Sequence, residues 1–275
     1  MTADAKQLFQ DGALGAAVEA QLALVRQKPT DAAARAFLID LLCFAGDFER
    51  ADKQLDLLVA QKVELTVAAA LSRQLARGGI ARREVFEKGR APELLAGAAG
   101  FVPSALRGLL ELRDGRTAEA AAAFEAAEAA RVPRGGTCNG VRFDDLRDAD
   151  DTCAGVLEVM TSTGKYYWVP LADVNSIEFR PPTLARDLLW RRALLDVRGG
   201  PDGEVFIPAI YPAAIPDGPD ADALRLGRET KWLEAPGAPV RGLGLRLFLV
   251  GEEAQSIHDL QTVTFDQPAE QAAAG

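Results

Sequence analysis

Five carboxylates fall within residues 144–151, at Asp144, Asp145, Asp148, Asp150 and Asp151. A hard cation such as calcium takes oxygen ligands at that density. A metal-dependent enzyme would be sought there, with Arg142, Arg147 or Lys165 meeting an anionic substrate. The stretch lacks the Asp-x-Asp-x-Asp-Gly order and the distal glutamate of an EF-hand loop. The preferred reading is a solvated loop whose aspartates cap turns. His258 is the only histidine, so a three-histidine zinc site is excluded and any Ser/His/Asp or Cys/His assembly would have to run through it. Its neighbours Ser256, Ile257 and Asp259 read as a helix-to-strand connection. Gly242-Leu243-Gly244 lacks the third glycine of a dinucleotide fingerprint, and Gly199–Gly203 lacks the lysine and hydroxyl of a phosphate loop. Cys43, Cys138 and Cys153 are odd in number and widely spaced, which gives neither a disulfide framework nor a metal pattern. No catalytic residue, metal ligand or cofactor site is therefore named.

Composition narrows the partners. The 275 residues are 48% hydrophobic and 26% charged, enough for a sizeable core, and the net charge is -9. No Lys/Arg cluster stands against that charge, which argues against a nucleic-acid surface and equally against an anionic membrane. The first residues, MTADAKQLFQDG, do not read as a secretory signal, and no run of about 18 apolar residues exists. These features and the cysteine usage fit a reducing cytoplasm.

The elements that must position any site begin with Arg35–Val59. Phe37, Leu38, Leu41, Leu42 and Ala45 recur at spacings of three and four, as do Ala51, Leu55, Leu58 and Val59, which predicts two amphipathic helices. Gly46-Asp47-Phe48 lies between them, with Asp47 placed to cap the second. The Gly46-x-Phe48-x-x-Ala51 pattern echoes Gly12-x-Leu14-x-x-Ala17 before it and Gly115-x-Thr117-x-x-Ala120 after it. A period of about 34 residues with glycine at the turn and a small residue five later is the tetratricopeptide pattern. Leu65–Arg77 and Ala81–Lys88, with Gly78-Gly79 between, sit where a degenerate intermediate hairpin would fall. Arg90–Phe101 reads as a connection with a short helical piece.

Composition changes near residue 134, where alanine thins and β-branched residues, Gly and Pro increase. The expected fold class is α+β: a TPR-like α-α superhelix over residues 1–133, a β-rich domain over 134–266, and a flexible tail over 267–275. Candidate strands are Gly155–Met160, Tyr166–Pro170, Asn175–Phe179, Val205–Pro208, Leu243–Val250 and Gln261–Phe265. Leu184–Leu195 reads either as helix or as strand on either side of a bend, and residues 211–222 as a surface loop. Alternation along Tyr166–Val169 puts Tyr167 and Val169 on one sheet face and Tyr166 and Trp168 on the other. One face must be core and the other is a candidate recognition surface, with core packing the preferred reading for each aromatic taken singly.

Several phrases resemble the ImpE family, also called TagJ. They are FLIDLLCFAGDFERADKQLDLL, VFEKGRAPELL, CNGVRF with DADD, YYWVPLADVNSIEF, RDLLWRRA, EVFIPAIYP, LGRETKW and RGLGLRLFLVGEE, in the family's order from about residue 8 to 265. Lys231 departs from the acidic residue expected in the LGRETKW phrase. The resemblance implies a non-enzymatic cytoplasmic accessory protein of bacterial type VI secretion. It also implies a partner, the small subunit of the contractile sheath, bound through its N-terminal helical segment, with an effect on sheath assembly or turnover.

Stacked hairpins make a concave groove suited to a partner helix. Groove-lining residues should come from the first helix of each hairpin, so Phe37, Asp40, Leu41, Phe44, Arg107, Leu110 and Glu111 are the candidates, some of which must be core.

Overall fold

The computed structural model describes residues 4–95, 100–200 and 202–267. Seven helices come first: α1 (Ala5–Gln10), α2 (Leu14–Gln27), α3 (Ala32–Phe44), α4 (Phe48–Gln61), α5 (Thr66–Lys88), then α6 (Val102–Arg113) and α7 (Thr117–Ala130). The three turns that share a sequence pattern share a geometry. Gly12, Gly46 and Gly115 all have positive φ, where glycine carries no Cβ penalty. After each, the next amide donates to the carbonyl five residues back: Ala13 to Leu8, Asp47 to Leu42, Arg116 to Glu111, each at 2.9 Å. This is the closure by which a left-handed residue satisfies the last carbonyls of a helix. Asp47 caps α4 by accepting from the Arg50 amide at 3.2 Å.

The predicted intermediate hairpin is a single 23-residue helix, α5, that runs straight through Gly78 and Gly79. A Cβ at Gly79 would stand 2.7 Å from the Phe48 ring, and one at Gly78 would stand 3.1 Å from Met160. These glycines are set by close packing on both sides of α5, which is why they do not mark a turn.

Between α5 and α6 lies a two-residue strand, β1 (Glu93–Leu94). The connection expected over Arg90–Phe101 holds that strand, and its residues 96–99 lie outside the described residues. Past α7 come β2 (Gly136–Cys138), β3 (Val141–Phe143), β4 (Leu146–Asp148), β5 (Val156–Met160), β6 (Tyr166–Pro170), β7 (Val174–Phe179), β8 (Trp190–Val197) and β9 (Gly203–Pro208). A short helix α8 (Ala221–Arg225) precedes β10 (Thr230–Leu233), β11 (Arg241–Gly244), β12 (Leu247–Val250), β13 (Glu253–Ser256) and β14 (Thr262–Phe265). The fold class is α+β.

The main sheet has nine strands in the order β1-β6-β5-β9-β8-β7-β14-β2-β3. All its pairs are antiparallel except β1 with β6. Smaller sheets are β13-β12-β4 and β10-β11. Thr163-Gly164 does turn β5 into β6, with Gly164 at φ +81. The stretch Leu184–Leu195 is a 3₁₀ turn over Ala185–Leu188 followed by β8. Leu243–Val250, expected as one strand, is broken between β11 and β12. Gly244 takes φ +83 there and Arg246 leaves the ladder to turn its side chain inward. The tail expected at 267–275 falls, from residue 268, outside the described residues.

Both faces of the main sheet are covered. On one, Met160, Tyr166, Trp168, Trp190 and Phe206 join a core shared with the helices. On the other, Leu157, Val159, Val169, Ala193, Leu195 and Ile207 pack with Leu146, Phe248 and Val250 of the three-stranded sheet. The alternation expected along Tyr166–Val169 holds, but it leaves neither face free: Tyr167 also packs against the second core. Phe48 stacks on Trp190 with ring centroids 6.2 Å apart, and Phe86 meets Trp168 at 6.1 Å.

Candidate partner-binding surface

The first helices of the hairpins sort the predicted contact residues by burial. Leu41 and Phe44 on α3 are core, and Phe44 packs edge-on against Phe9 at 5.4 Å. They support the surface from beneath and do not line it. Phe37 is half-buried, also against Phe9, at 5.9 Å. Asp40 sits beside the turn at Ala185–Leu188. Burial pushes its carboxyl up to about 6, opposed by Arg186 and reinforced by Asp187. On α6, Arg107 is exposed and lies 3.6 Å from Glu111, which also pairs with Arg116. Leu110 is 42% exposed.

Leu110 belongs to a groove between the end of α5 and α6. The groove has a volume of about 140 Å³, with Val85, Phe86, Leu106 and Leu109 as its apolar floor and Arg90 and Arg113 at its rim. Gly89 ends α5 at φ +74, and a Cβ there would stand 1.7 Å from Nη1 of Arg113. The bare glycine is therefore what lets that guanidinium lie across the mouth.

A second, larger groove of about 410 Å³ runs between α7 and the strand-rich part. Ala121, Phe124, Glu125 and Glu128 line it from α7, and Arg147, Asp151 and Pro239 from the other side. Its arginine is already engaged: Arg147 lies 3.0 Å from Asp151 and 3.4 Å from Glu128.

The acidic stretch is not a solvated loop. Asp148 and Asp150 are fully buried. Asp150 accepts from the Thr152 amide and the Gly242 amide, each at 2.8 Å, and also from the Thr152 hydroxyl. Asp148 accepts from the Asp150 amide at 2.9 Å and faces Arg246 at 3.5 Å. Burial raises Asp148 to about 6 against the pull of that arginine. Asp145 takes both amino groups of Arg131, at 2.7 and 2.6 Å, and Asp151 bridges to the Val240 amide at 2.8 Å. The aspartates do cap turns, as the spacing suggests, but they also tie α7 and the 240–246 segment to the sheet. Among the described residues, no group of three or more His, Cys, Asp or Glu is placed to hold a metal ion. His258 lies in the turn between β13 and β14, not between a helix and a strand. Burial and the nearby Arg191 lower its pKa.

Sequence reasoning missed the most charged point of the interior. Glu158 on β5 is wholly buried on the helix-facing side of the sheet. Arg82 of α5 holds both its oxygens, Nε to Oε1 at 2.6 Å and Nη2 to Oε2 at 2.9 Å, and also donates to the Ile210 carbonyl at 2.9 Å. Arg246, itself buried, donates to Oε2, and the Tyr166 hydroxyl donates to Oε1. Trp168 Nε1 donates onward to that hydroxyl at 2.8 Å. One carboxylate thus joins a helix, two strands and the β11–β12 junction. The signal was present: a glutamate amid Val156-Leu157-Glu158-Val159-Met160 is a charge on a buried strand, and such a charge needs a partner.

This architecture recurs in known proteins. The ImpE protein family model matches residues 140–264. The type VI secretion system accessory component TagJ of Pseudomonas aeruginosa is 34% identical over 270 residues, covering 95% of this chain and 91% of that protein. The crystal structure of protein VPA1032 from Vibrio parahaemolyticus superposes with a TM-score of 0.90 at 31% identity, covering 96% of this chain and 98% of that one. A likeness of that extent runs through both the helical and the strand-rich parts, and the chain belongs to the ImpE family.

Proposed function

We propose that this protein is an accessory component of a type VI secretion system. It acts as a cytoplasmic adaptor, not an enzyme. Its helical part binds a helical segment at the N-terminus of the small contractile-sheath subunit, and so modulates sheath assembly or turnover. The observation that carries the reading is the match to TagJ along nearly the whole of both chains. The helical hairpins add support, since paired helices offer ridged surfaces that accept a third helix through spaced apolar anchors. Phe37, Asp40, Arg107, Leu110 and Glu111 are the proposed contacts, with Leu41 and Phe44 behind them. No helix among the described residues is long and apolar enough to cross a membrane.

Fluorescence anisotropy tests the reading. A labelled peptide of the cognate small sheath subunit's N-terminal segment is titrated with the full-length protein. Saturable binding at micromolar concentration is expected. A flat titration to several hundred micromolar would reject this partner segment.

A further inference from the structure

The α5–α6 groove has the size and chemistry of a single anchor point. We propose that it receives one large apolar side chain of an amphipathic helix that carries a carboxylate one turn away, positioned for Arg113. The inference rests on the adaptor reading and specifies where and by what chemistry the partner helix is held.

Size comes first. About 140 Å³ is well below the roughly 300–1,000 Å³ of a small-molecule site. It matches one leucine- or phenylalanine-sized side chain. The side chains of Val85, Phe86, Leu106 and Leu109 in its floor carry no polar atom, so shape and desolvation hold an inserted side chain. Leu110 stands at the edge with 42% of its surface exposed, ready to cover an inserted side chain.

Charge sets the occupant's neighbour. Among the described residues, Arg90 and Arg113 are the only charged ones that line the groove, and no carboxylate does. Arg90 is held by Glu84 at 3.0 Å. Arg113 makes a looser pair, 3.5 Å from the adjacent Asp114, and one-third of its side chain is exposed. A guanidinium at the lip of an apolar hole favours a carboxylate and disfavours lysine or arginine at the same place. The two walls are helices, so their ridges run as rows that accept a third helix, whose anchor and carboxylate then fall at i and i+3 or i+4. The larger groove beside α7 differs on both counts, because it is lined by three carboxylates and its arginine is paired within the protein.

The test uses the full-length protein and two probes. The first is the sheath-subunit peptide, with a version in which the acidic residue nearest its largest apolar side chain is lysine. The second is a 16-residue alanine-based helical peptide with one leucine and a glutamate at i+4, followed by ¹H–¹⁵N NMR up to millimolar concentration. Leu110→Asp and Arg113→Glu should each weaken the native sheath peptide at least tenfold. Arg113→Glu should also restore binding of the lysine version. Ala121→Arg, in the larger groove, should change affinity less than twofold. The alanine-based peptide should shift amides of residues 85–90 and 106–113. If the sheath peptide binds but ignores both groove variants, or responds to Ala121→Arg instead, the groove proposal is overturned while the adaptor reading stands. If the sheath peptide does not bind, the partner assignment falls. The alanine-based peptide then decides the groove alone: shifts confined to those residues uphold it and their absence overturns it.

Discussion

The two faces of the nine-stranded sheet are built on opposite plans. The far face is closed with Leu157, Val159, Val169 and Ile207 against Phe248 and Val250, an apolar contact that tolerates many side-chain combinations. The helix-facing side is closed around Glu158 with Arg82, Arg246, Tyr166 and Trp168, where each donor has one acceptable position. Apolar contact is non-directional, so it can hold two layers together without fixing their angle. A carboxylate shared by a helix, a strand and a strand junction fixes all three at once. The difference teaches that burial supplies adhesion on both faces, while orientation of the helices on the sheet is supplied by the charged group. That orientation is what any docking surface on α3 or α6 depends on.

The sharpest way to break this contrast is to change one atom on each face. Glu158→Gln keeps the shape but leaves Arg82 and Arg246 buried around a neutral amide. Breaking a buried pair in this way costs about 3–5 kcal/mol. Ile207→Val on the far face removes one methylene and should cost about 0.5–1.5 kcal/mol. Urea unfolding followed by tryptophan fluorescence measures both. Equal losses would mean that the charged cluster does no more than fill space. The same experiment bears on the division at residue 134. Because Phe48, Trp190, Phe86 and Trp168 share one core, the helical and strand-rich parts of the wild type should unfold in a single transition.

The glycines show which parts of this design are legible in a sequence. Gly12, Gly46 and Gly115 announce turns because their backbone conformation is a local property, and the residues around them repeat. The helices that flank them are legible for the same reason, through spacings of three and four. Most long strands are legible as apolar runs, but β2, β3, β4, β10 and β13 are three or four residues long and too short to show a period. Gly78 and Gly79 mislead, because their reason lies across the molecule at Met160 and Phe48. Glu158 is conspicuous in its strand, yet its two arginine partners are 76 and 88 residues away, and no local pattern names them. Among the proposed contact residues, periodicity finds the apolar faces. It does not separate Leu41, inside, from Leu110, outside, because that depends on which neighbours the helix meets. Asparagine at two of these glycines separates local from tertiary cause. Gly46→Asn should cost no more than about 1 kcal/mol, since asparagine tolerates positive φ and nothing lies within 4 Å. Gly79→Asn must push the Phe48 ring off Trp190 and should cost about 2–3 kcal/mol. Comparable losses in thermal unfolding would show that both positions answer to backbone conformation alone.

The smallest expected effect separates the two faces by pH. The helix-facing side places Asp40 at the contact with the Ala185–Leu188 turn, where burial raises its carboxyl to about 6 from an ordinary 3.8, while Arg186 pulls the other way. A carboxyl whose folded pKa exceeds its unfolded pKa binds more protons folded than unfolded between the two values. Its contribution to stability is therefore greatest below about pH 4, falls as pH rises toward 6, and stays constant above that. Asp148 shifts in the same direction over the same window, so the wild type alone cannot assign the effect. Asp40→Asn removes one contributor and leaves the other. Relative to wild type, the variant should gain on the order of 1 kcal/mol between pH 4 and pH 7, discounted for the partial exposure of the side chain. Ile207→Val adds and removes no titratable group, and its difference from wild type should be the same at pH 4 and pH 7. Denaturant unfolding of the three proteins at pH 4, 5, 6 and 7 reads this directly. A gain that appears equally in the far-face variant would place the titration elsewhere. A loss on raising the pH would mean that Arg186 outweighs burial, so that Asp40 acts as an ion-pair partner of the 185–188 turn instead of a half-buried acid on α3.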